Sequence, residues 1–115
     1  MPSPGQIVLF RFPQTDAAAG KLRPALLIGR LPGRHGDWLI CMISSQFHQF
    51  IEDFDEIVSD DSEDFASSGL KSASVVRLGR LAVVDGSILV GAIGEISTPR
   101  LVRIKGKLAN WLTHC

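Results

Sequence analysis

The sequence has few cysteines and no long apolar run, and both absences narrow the classes of protein to consider. The two cysteines, Cys41 and Cys115, have neither the spacing of a metal site nor that of a disulfide framework. The longest apolar run, residues 38–43, has six members, whereas a membrane-spanning helix needs about 20. No basic segment followed by an apolar stretch opens the chain, so we expect no secretory signal. We therefore expect a cytoplasmic protein that does not bind a membrane.

The sequence also lacks the common signatures of metal, nucleotide and triad chemistry. His35, His48 and His114 are too far apart for a zinc motif and do not suggest a Ser-His-Asp order. No register from Asp53, Asp55 or Asp60 supplies both the glycine and the final glutamate of an EF-hand loop. Neither a Gly-x-Gly-x-x-Gly nor a Walker sequence occurs. We expect no metal and no cofactor.

The composition is that of a single globular domain covering residues 1–115. Hydrophobic residues make up 45% of the chain and charged residues 21%, which excludes a disordered protein. A chain of this length buries roughly two-thirds of its unfolded surface, which is enough for one core.

The net charge of zero hides an uneven distribution. Residues 51–70 contain eight acidic residues and no basic one, so the other 95 residues carry twelve basic against four acidic residues, a net charge of +8. A basic body is a weak indication of nucleic-acid binding, because phosphate binding needs local positive potential. The alternative interpretation is that the acidic segment is an ordinary solvated loop. Its acids are Glu52, Asp53, Asp55, Glu56, Asp60, Asp61, Glu63 and Asp64.

Apolar periodicity predicts a mainly β protein that ends in a helix. Pro24, near the start of the second predicted strand, suggests that this strand lies at a sheet edge. Residues 13–21 are predicted to be a loop, 31–37 a hairpin turn, and 47–70 a helical turn or short strand followed by a loop. Five or more short strands with one helix indicate a small, partly open β-barrel. The predicted strands cover 5–12, 22–30, 38–44, 74–78 continued beyond a break at Gly79 by 81–84, and 88–96.

The last residues have the clearest helix pattern. Ser97 or Thr98 can cap the helix, and Pro99 fits its first turn. Gly106 costs this helix roughly 1 kcal/mol relative to alanine. The apolar face has helical spacing through Leu101, Ile104, Leu108 and Trp111.

Two predicted strands carry polar groups at one end. Arg23 stands at the start of the second strand, and Ser44 and Ser45 follow the apolar run of the third. Strand ends of this kind can bring a guanidinium and a hydroxyl together, which suits phosphate chemistry. The alternative is a solvent-exposed arginine and serines that hydrogen-bond to their own turn. Arg77 and Arg80 form a second basic pair on a later strand.

Four segments in order resemble the MazF/PemK/Kid toxins of bacterial toxin–antitoxin pairs. They are GQIVLFRFP at 5–13, LRPALLIG at 22–29, MISSQ at 42–46 and GLKSASVVRLGRLAVVD at 69–85, and the C-terminal helix also fits. The resemblance implies an SH3-like barrel, a homodimer and metal-independent cleavage of single-stranded RNA. It also implies a small antitoxin partner whose acidic, disordered tail occupies the RNA groove.

The resemblance assigns roles to particular residues. It places the essential arginine at Arg23 and the catalytic Ser/Thr at Ser44, and it implies attack of the RNA 2′-hydroxyl on the adjacent phosphorus. The products would carry a 2′,3′-cyclic phosphate and a 5′-hydroxyl. We expect the acidic segment to lie away from the RNA path, since it would repel phosphate. The substrate-binding residues implied are Pro24, Ser45, Gln46, Arg77 and Arg80.

The chain departs from the family pattern at two positions. Many members begin with Gly-Asp, where this chain has Gly5-Gln6. Some members, Kid among them, have Arg-x-Asp on the strand that here contains Arg77, and the acid position is Gly79. The resemblance therefore implies that catalysis rests more heavily on Arg23.

Two other functions fit the same fold. One is a non-catalytic toxin-like module that binds a protein target such as gyrase, with its determinants on the C-terminal helix; the other is a stand-alone RNA- or partner-binding SH3-like domain. The presence of both Arg23 and Ser44 favours the endoribonuclease.

Overall fold

The structure is a computed structural model that describes residues 2–11 and 21–115. In these residues the chain forms β1 (Gln6–Arg11), β2 (Leu22–Arg30), β3 (Asp37–Ser44), β4 (Glu56–Val58), α1 (Phe65–Ser68), β5 (Ser74–Asp85), β6 (Leu89–Glu95) and α2 (Thr98–His114). Single turns of 3-10 helix occupy Phe47–Gln49 and Gly86–Ile88. The predicted loop at 13–21 lies outside the described residues, apart from Lys21.

The strands form one antiparallel sheet in the order β4-β5-β3-β2-β1-β6. Within the described chain the two edge strands, β4 and β6, do not pair with each other, so the sheet is not closed by a β4–β6 ladder. The helix α1 packs on β6, where the Ser67 hydroxyl donates to the Glu95 carbonyl at 3.1 Å. The predicted mainly β fold, an SH3-like, partly open barrel with a C-terminal helix, is therefore confirmed in class.

Alternation along the strands divides the core between the two faces of the sheet. One face packs under α2, where Ile104 and Leu108 are buried against residues such as Leu26 and Val76. The other face carries a second buried cluster: Val8, Phe10, Ala25, Leu27, Trp38 and Ile40. Apolar runs without a polar face, such as residues 25–28, result from burial on both sides.

The predicted cap of the last helix is present. The Ser97 hydroxyl accepts the Arg100 N–H at 3.3 Å, and Pro99 lies in the first turn. Trp111, near the C-terminal end of α2, is about half-exposed. The centroid of its ring lies 6.3 Å from the centroid of the Phe54 ring.

Two expectations about the strands need correction. β2 is an interior strand between β1 and β3, so Pro24 does not mark a sheet edge. β5 is continuous through Gly79, because the chain forms a bulge there: Arg77 pairs with Met42 and Leu81 with Cys41. The Leu78 N–H within this bulge donates to the buried carboxylate of Asp55 at 3.0 Å.

The interpretation of the acidic segment as a solvated loop is wrong for three of its acids. Asp55, Glu56 and Asp64 are buried, and the last two bind basic side chains of α2. Arg100 forks onto Asp64 at 2.8 and 3.1 Å and also donates to Glu56 at 2.9 Å. Part of the positive charge outside the acidic segment is therefore neutralised by ion pairs and is not available to a ligand.

Glu56 is the centre of this network. Arg103 donates to its carboxylate at 2.7 Å and Lys107 at 2.6 Å. Burial alone would raise the pKa of Glu56, but the hydrogen bonds from Arg103 and Lys107 outweigh it and hold the pKa below its ordinary value. Burial also tends to raise the pKa of Asp64, but the hydrogen bonds from Arg100 and from the Ser97 N–H outweigh it, so this pKa too is below its ordinary value.

Candidate active site

A cleft opens where β2 and β3 separate. The pairing between β2 and β3 ends at Ala25 and Met42, although β2 begins three residues earlier, at Leu22. β3 continues to Ser44, which pairs with β5 and not with β2. The Leu27 carbonyl accepts the Gly5 N–H on the β1 side, so alternation turns the backbone of Pro24 toward β3. Proline has no N–H to donate there, and this explains why the ladder stops.

Arg23 and Ser44 lie on the two sides of this opening. Extending the Ala25–Met42 register by two residues sets Arg23 opposite Ser44, on the same face of the sheet. Both residues line a cleft with a volume of about 550 Å³. The Arg23 side chain is exposed, and none of the described residues forms a hydrogen bond or ion pair with it. Its guanidinium is thus available to an anionic ligand.

Ser44 has one hydrogen bond that orients its hydroxyl. Its oxygen accepts the Gln46 N–H at 3.0 Å, which is the local turn bond expected of a serine at a strand end. A hydroxyl also has one proton to donate, and the turn bond leaves this proton free. Ser45 and Gln46 are exposed and line the cleft beside Ser44.

The described lining of the cleft carries a positive charge. Among its described lining residues the charged side chains are Arg23 and Lys71, and no carboxylate is present. None of the eight acids of residues 51–70 lines it. The remaining described lining residues are uncharged, and the apolar ones among them include Leu9, Leu22, Pro24, Ile43, Leu70 and Ile93.

Lys71 is the cleft residue that sequence reasoning missed. It follows α1 in the segment Gly-Leu-Lys-Ser, 48 positions beyond Arg23 in the chain. The available signal was a basic residue three positions before a predicted strand, in a segment that resembles the toxin family. Charge counting could not place it in the same cleft as Arg23, because that placement depends on the order of the strands in the sheet and on the packing of α1 against β6.

Arg77 and Arg80 do not line the cleft. Arg77 pairs with Met42 on β3, so alternation places it on the same sheet face as Arg23. It lies on β5, however, and β3 stands between β5 and the strand that carries Arg23. The Arg77 Nε is buried and has no hydrogen-bond partner in the described chain. Arg80 is exposed in the β5 bulge. The structure therefore brings together Arg23, Pro24, Ser44, Ser45 and Gln46, but not the two later arginines.

Gln6 and Gly79, the two departures from the family pattern, lie in a turn and in a bulge. The Gln6 side-chain carbonyl accepts the Ser3 N–H at 2.9 Å, so it supplies an acceptor in the turn that precedes β1. Gly79 is exposed, and a Cβ there would have only the Phe54 ring nearby, at 3.7 Å. The Asp55 carboxylate already holds the bulge through the neighbouring Leu78 N–H.

Cys41 is buried in the sheet away from the cleft. Burial, with a smaller contribution from Asp55, raises the pKa of its thiol to about 12, so the thiol remains protonated at neutral pH. The described residues contain no cluster of three or more histidine, cysteine or acidic side chains that could hold a metal ion. No helix in the described part of the chain is long and apolar enough to cross a membrane.

Comparison with known proteins gives a family match over most of the chain. The model described as "PemK-like, MazF-like toxin of type II toxin-antitoxin system" matches residues 3–112. A comparison with curated proteins found no match.

Solved structures share the fold at low sequence identity. A MazE–MazF structure from Deinococcus radiodurans is 24% identical over 99% of this chain and 97% of that chain, with a TM-score of 0.68. The Mycobacterium tuberculosis toxin MazF-mt6 is 16% identical over 94% and 96% of the two chains, with a TM-score of 0.64. An endoribonuclease in complex with its cognate antitoxin, from a mycobacterial species, is 16% identical over 100% and 98%, with a TM-score of 0.65.

Proposed function

We propose that this chain, which belongs to the PemK-like, MazF-like toxins of type II toxin–antitoxin systems, is a metal-independent endoribonuclease that cleaves single-stranded RNA. The observation that supports this most is the opposition of an unpaired guanidinium and a free hydroxyl proton across the strand-end cleft. Both groups lie in a positive cleft whose described lining has no carboxylate to repel phosphate. The positive side chain and the hydroxyls suit a phosphodiester in charge and in hydrogen bonding.

The reaction is an internal transfer within the RNA. The 2′-oxygen attacks the neighbouring phosphorus, the bond from phosphorus to the 5′-oxygen breaks, the 2′-hydroxyl loses its proton and the leaving oxygen gains one. Negative charge grows on the phosphoryl oxygens as this happens, and fixed donors that meet it lower the barrier. Arg23 suits this role because its planar guanidinium stays charged and can donate to two oxygens at once.

Ser44 acts as a donor in this scheme. Its oxygen already accepts the Gln46 N–H, so its proton is directed elsewhere and can reach a phosphoryl oxygen or the 2′-oxygen. No histidine or carboxylate is among the described residues of the cleft, so none of these side chains serves as a general base in this scheme. The rate enhancement then comes from positioning and charge stabilisation. Pro24, Ser45 and Gln46 form the substrate-binding surface beside the two catalytic residues.

The family implies a protein partner as well as an RNA substrate. MazF is complexed with MazE in the Deinococcus radiodurans structures, and the mycobacterial endoribonuclease is complexed with its cognate antitoxin. We propose that this chain also binds a small antitoxin, whose acidic segment would occupy the same positive cleft as RNA and so inhibit it.

The test is cleavage of single-stranded RNA by the purified chain in EDTA, with mass spectrometry of the products. We expect fragments ending in a 2′,3′-cyclic phosphate and fragments starting with a 5′-hydroxyl. Activity that appears only on addition of a divalent metal, or 5′-phosphate products, would overturn the mechanism.

A protein-binding toxin is the second candidate, and one structural feature favours it. An apolar cavity of about 450 Å³ lies beside Trp111 near the end of α2 and is lined by Ile51, Phe54, Leu78, Gly79 and Leu81. An exposed aromatic beside an apolar cavity is typical of a protein-binding surface. If this candidate is correct, Trp111→Ala abolishes toxicity in cells and Arg23→Ala leaves it intact. If the chain is an endoribonuclease, Arg23→Ala abolishes toxicity and Trp111→Ala leaves it intact.

A further inference from the structure

One wall of the cleft is the segment between α1 and β5. Gly69, Leu70, Lys71 and Ser72 line the same cleft as the residues at the ends of β2 and β3. Lys71 is exposed and forms no hydrogen bond or ion pair with any described residue. In this respect it resembles Arg23 and differs from Arg100, Arg103 and Lys107, whose charges are taken up by Glu56 and Asp64.

Close backbone packing holds this wall in place. Gly69 has a φ of +73° and lies so near β6 that a Cβ would come within 2.0 Å of the Ile93 carbonyl oxygen. Gly94 on β6 has the reciprocal restriction, since a Cβ there would come within 2.2 Å of the Ser67 carbonyl oxygen. The Leu70 N–H then donates to the Ser68 hydroxyl at 3.1 Å. The backbone that carries Lys71 is therefore fixed against the sheet.

We propose that Lys71 is a second phosphate-binding residue of the cleft, contacting a phosphate next to the one that Arg23 meets. The inference rests on the proposed function, because it takes a single-stranded polynucleotide as the ligand. An ammonium is a compact point charge that attracts phosphate without requiring a fixed orientation. Such a contact holds the strand equally in the ground state and in the transition state, so it lowers KM and leaves kcat unchanged.

The number of phosphates neutralised can be counted from the salt dependence of binding. For single strands, each lost phosphate contact reduces the slope of log K against log salt by about 0.7. The probe is a fluorescent, single-stranded 2′-O-methyl oligonucleotide of randomised sequence, which lacks the nucleophilic hydroxyl and cannot be cleaved. Its binding is measured by anisotropy over a range of salt concentrations.

The variants are Lys71→Ala and Lys71→Arg, with Lys105→Ala as the matched control. Lys105 is an exposed lysine on α2 that does not line the cleft. We expect Lys71→Ala to weaken binding about 2- to 5-fold, as for an exposed ion pair, and to reduce the slope by about 0.7. Lys71→Arg and Lys105→Ala should keep the wild-type slope. In cleavage assays Lys71→Ala should raise KM and retain kcat.

The outcomes separate this inference from the proposed function. An unchanged slope and affinity for Lys71→Ala would overturn the inference, as would a wild-type chain that does not bind the oligonucleotide. A fall in kcat with unchanged KM would also overturn it, because Lys71 would then act on the chemistry. If wild type binds with the expected slope difference but cuts no RNA, the Lys71 contact stands and the proposed cleavage fails.

Discussion

Arg23 is the residue whose substitution tests the proposed chemistry most directly. We expect Arg23→Ala to reduce the cleavage rate by about 10²-fold or more, the scale associated with losing one donor to a developing anion. Arg23→Lys should restore only part of the rate, because an ammonium cannot fork onto two oxygens. Cleavage of a single-stranded RNA under EDTA measures both. Arg30→Ala, an exposed arginine at the other end of β2, is the control and should cleave normally.

Ser44 and Ser45 are adjacent serines with different surroundings, and they form a matched pair. We expect Ser44→Ala to lower kcat roughly tenfold, the equivalent of one hydrogen bond, and Ser45→Ala to have a smaller effect. The hydroxyl of Ser44 is oriented by the Gln46 N–H, whereas Ser45 is exposed beside it. Ser44→Thr keeps the donor and should retain most of the activity. Equal losses for the two alanine variants would contradict the role given to Ser44.

At the scale of the helices and strands, Gly106 and Gly69 test how tightly the backbone is packed, because a Cβ has open space at the first and clashes with β6 at the second. A Cβ at Gly106 in α2 would meet nothing within 4 Å, so Gly106→Ala should raise the free energy of unfolding by about 1 kcal/mol. Gly69→Ala should lower it by about 2 kcal/mol or more, because left-handed backbone alone costs about 1–2 kcal/mol and the new Cβ clashes with β6. Urea denaturation followed by circular dichroism measures both. A stable Gly69→Ala variant would mean that α1 is not held against β6 as described.

The contact between α2 and the acidic segment predicts an acid-sensitive fold. The pKa values of Glu56 and Asp64 are lower in the folded chain than their ordinary values of 4.5 and 3.8. Their ion pairs therefore stabilise the fold fully above about pH 5, and this contribution is lost as the pH falls through the lower folded values. We expect the urea midpoint to fall steadily below about pH 5.

The variant Glu56→Gln tests whether the ion pairs of Glu56 cause the loss of stability in acid. It leaves Arg103 and Lys107 without their carboxylate, so we expect a loss of about 3 kcal/mol at neutral pH and a weaker decline in acid. The control is Glu63→Gln, an exposed acid of the same segment, which should stay within about 0.5 kcal/mol of wild type. A Glu56→Gln variant with wild-type stability and pH dependence would show that the network contributes nothing.

At the scale of the whole molecule, the exposed apolar residues predict a homodimer. Val83 on β5, Val90 on β6, and Val102 and Leu112 on α2 are each more than half exposed. These residues lie on the later strands and the helix, which we expect to contribute to the interface, and one cleft of about 550 Å³ is small for several nucleotides. Light scattering at micromolar concentration should give twice the chain mass of 12.5 kDa. A monomer under these conditions would contradict both the dimer and a groove built across it.

The elements whose causes are local in the chain were predictable from the sequence. β2 has its predicted bounds, and β1, β3 and β6 differ from theirs by one residue at one or both ends. The cap of α2 by Ser97 was also visible, since it depends on a residue three positions away. Arg23 and Ser44 were identified as candidates because each lies at one end of an apolar strand, and the resemblance to the toxin family assigned them catalytic roles.

Contacts between distant parts of the chain required the tertiary structure. The Arg100 bonds to Asp64 and Glu56 cross 36 and 44 residues, and nothing in the composition says which cation meets which carboxylate. The same holds for Lys71, which reaches the cleft only because α1 packs against β6, and for Pro24, whose missing N–H matters only beside β3. Propensity and periodicity act over a few residues along the chain, whereas the pairing of charges and the opening of a cleft depend on the order and register of the strands in the sheet.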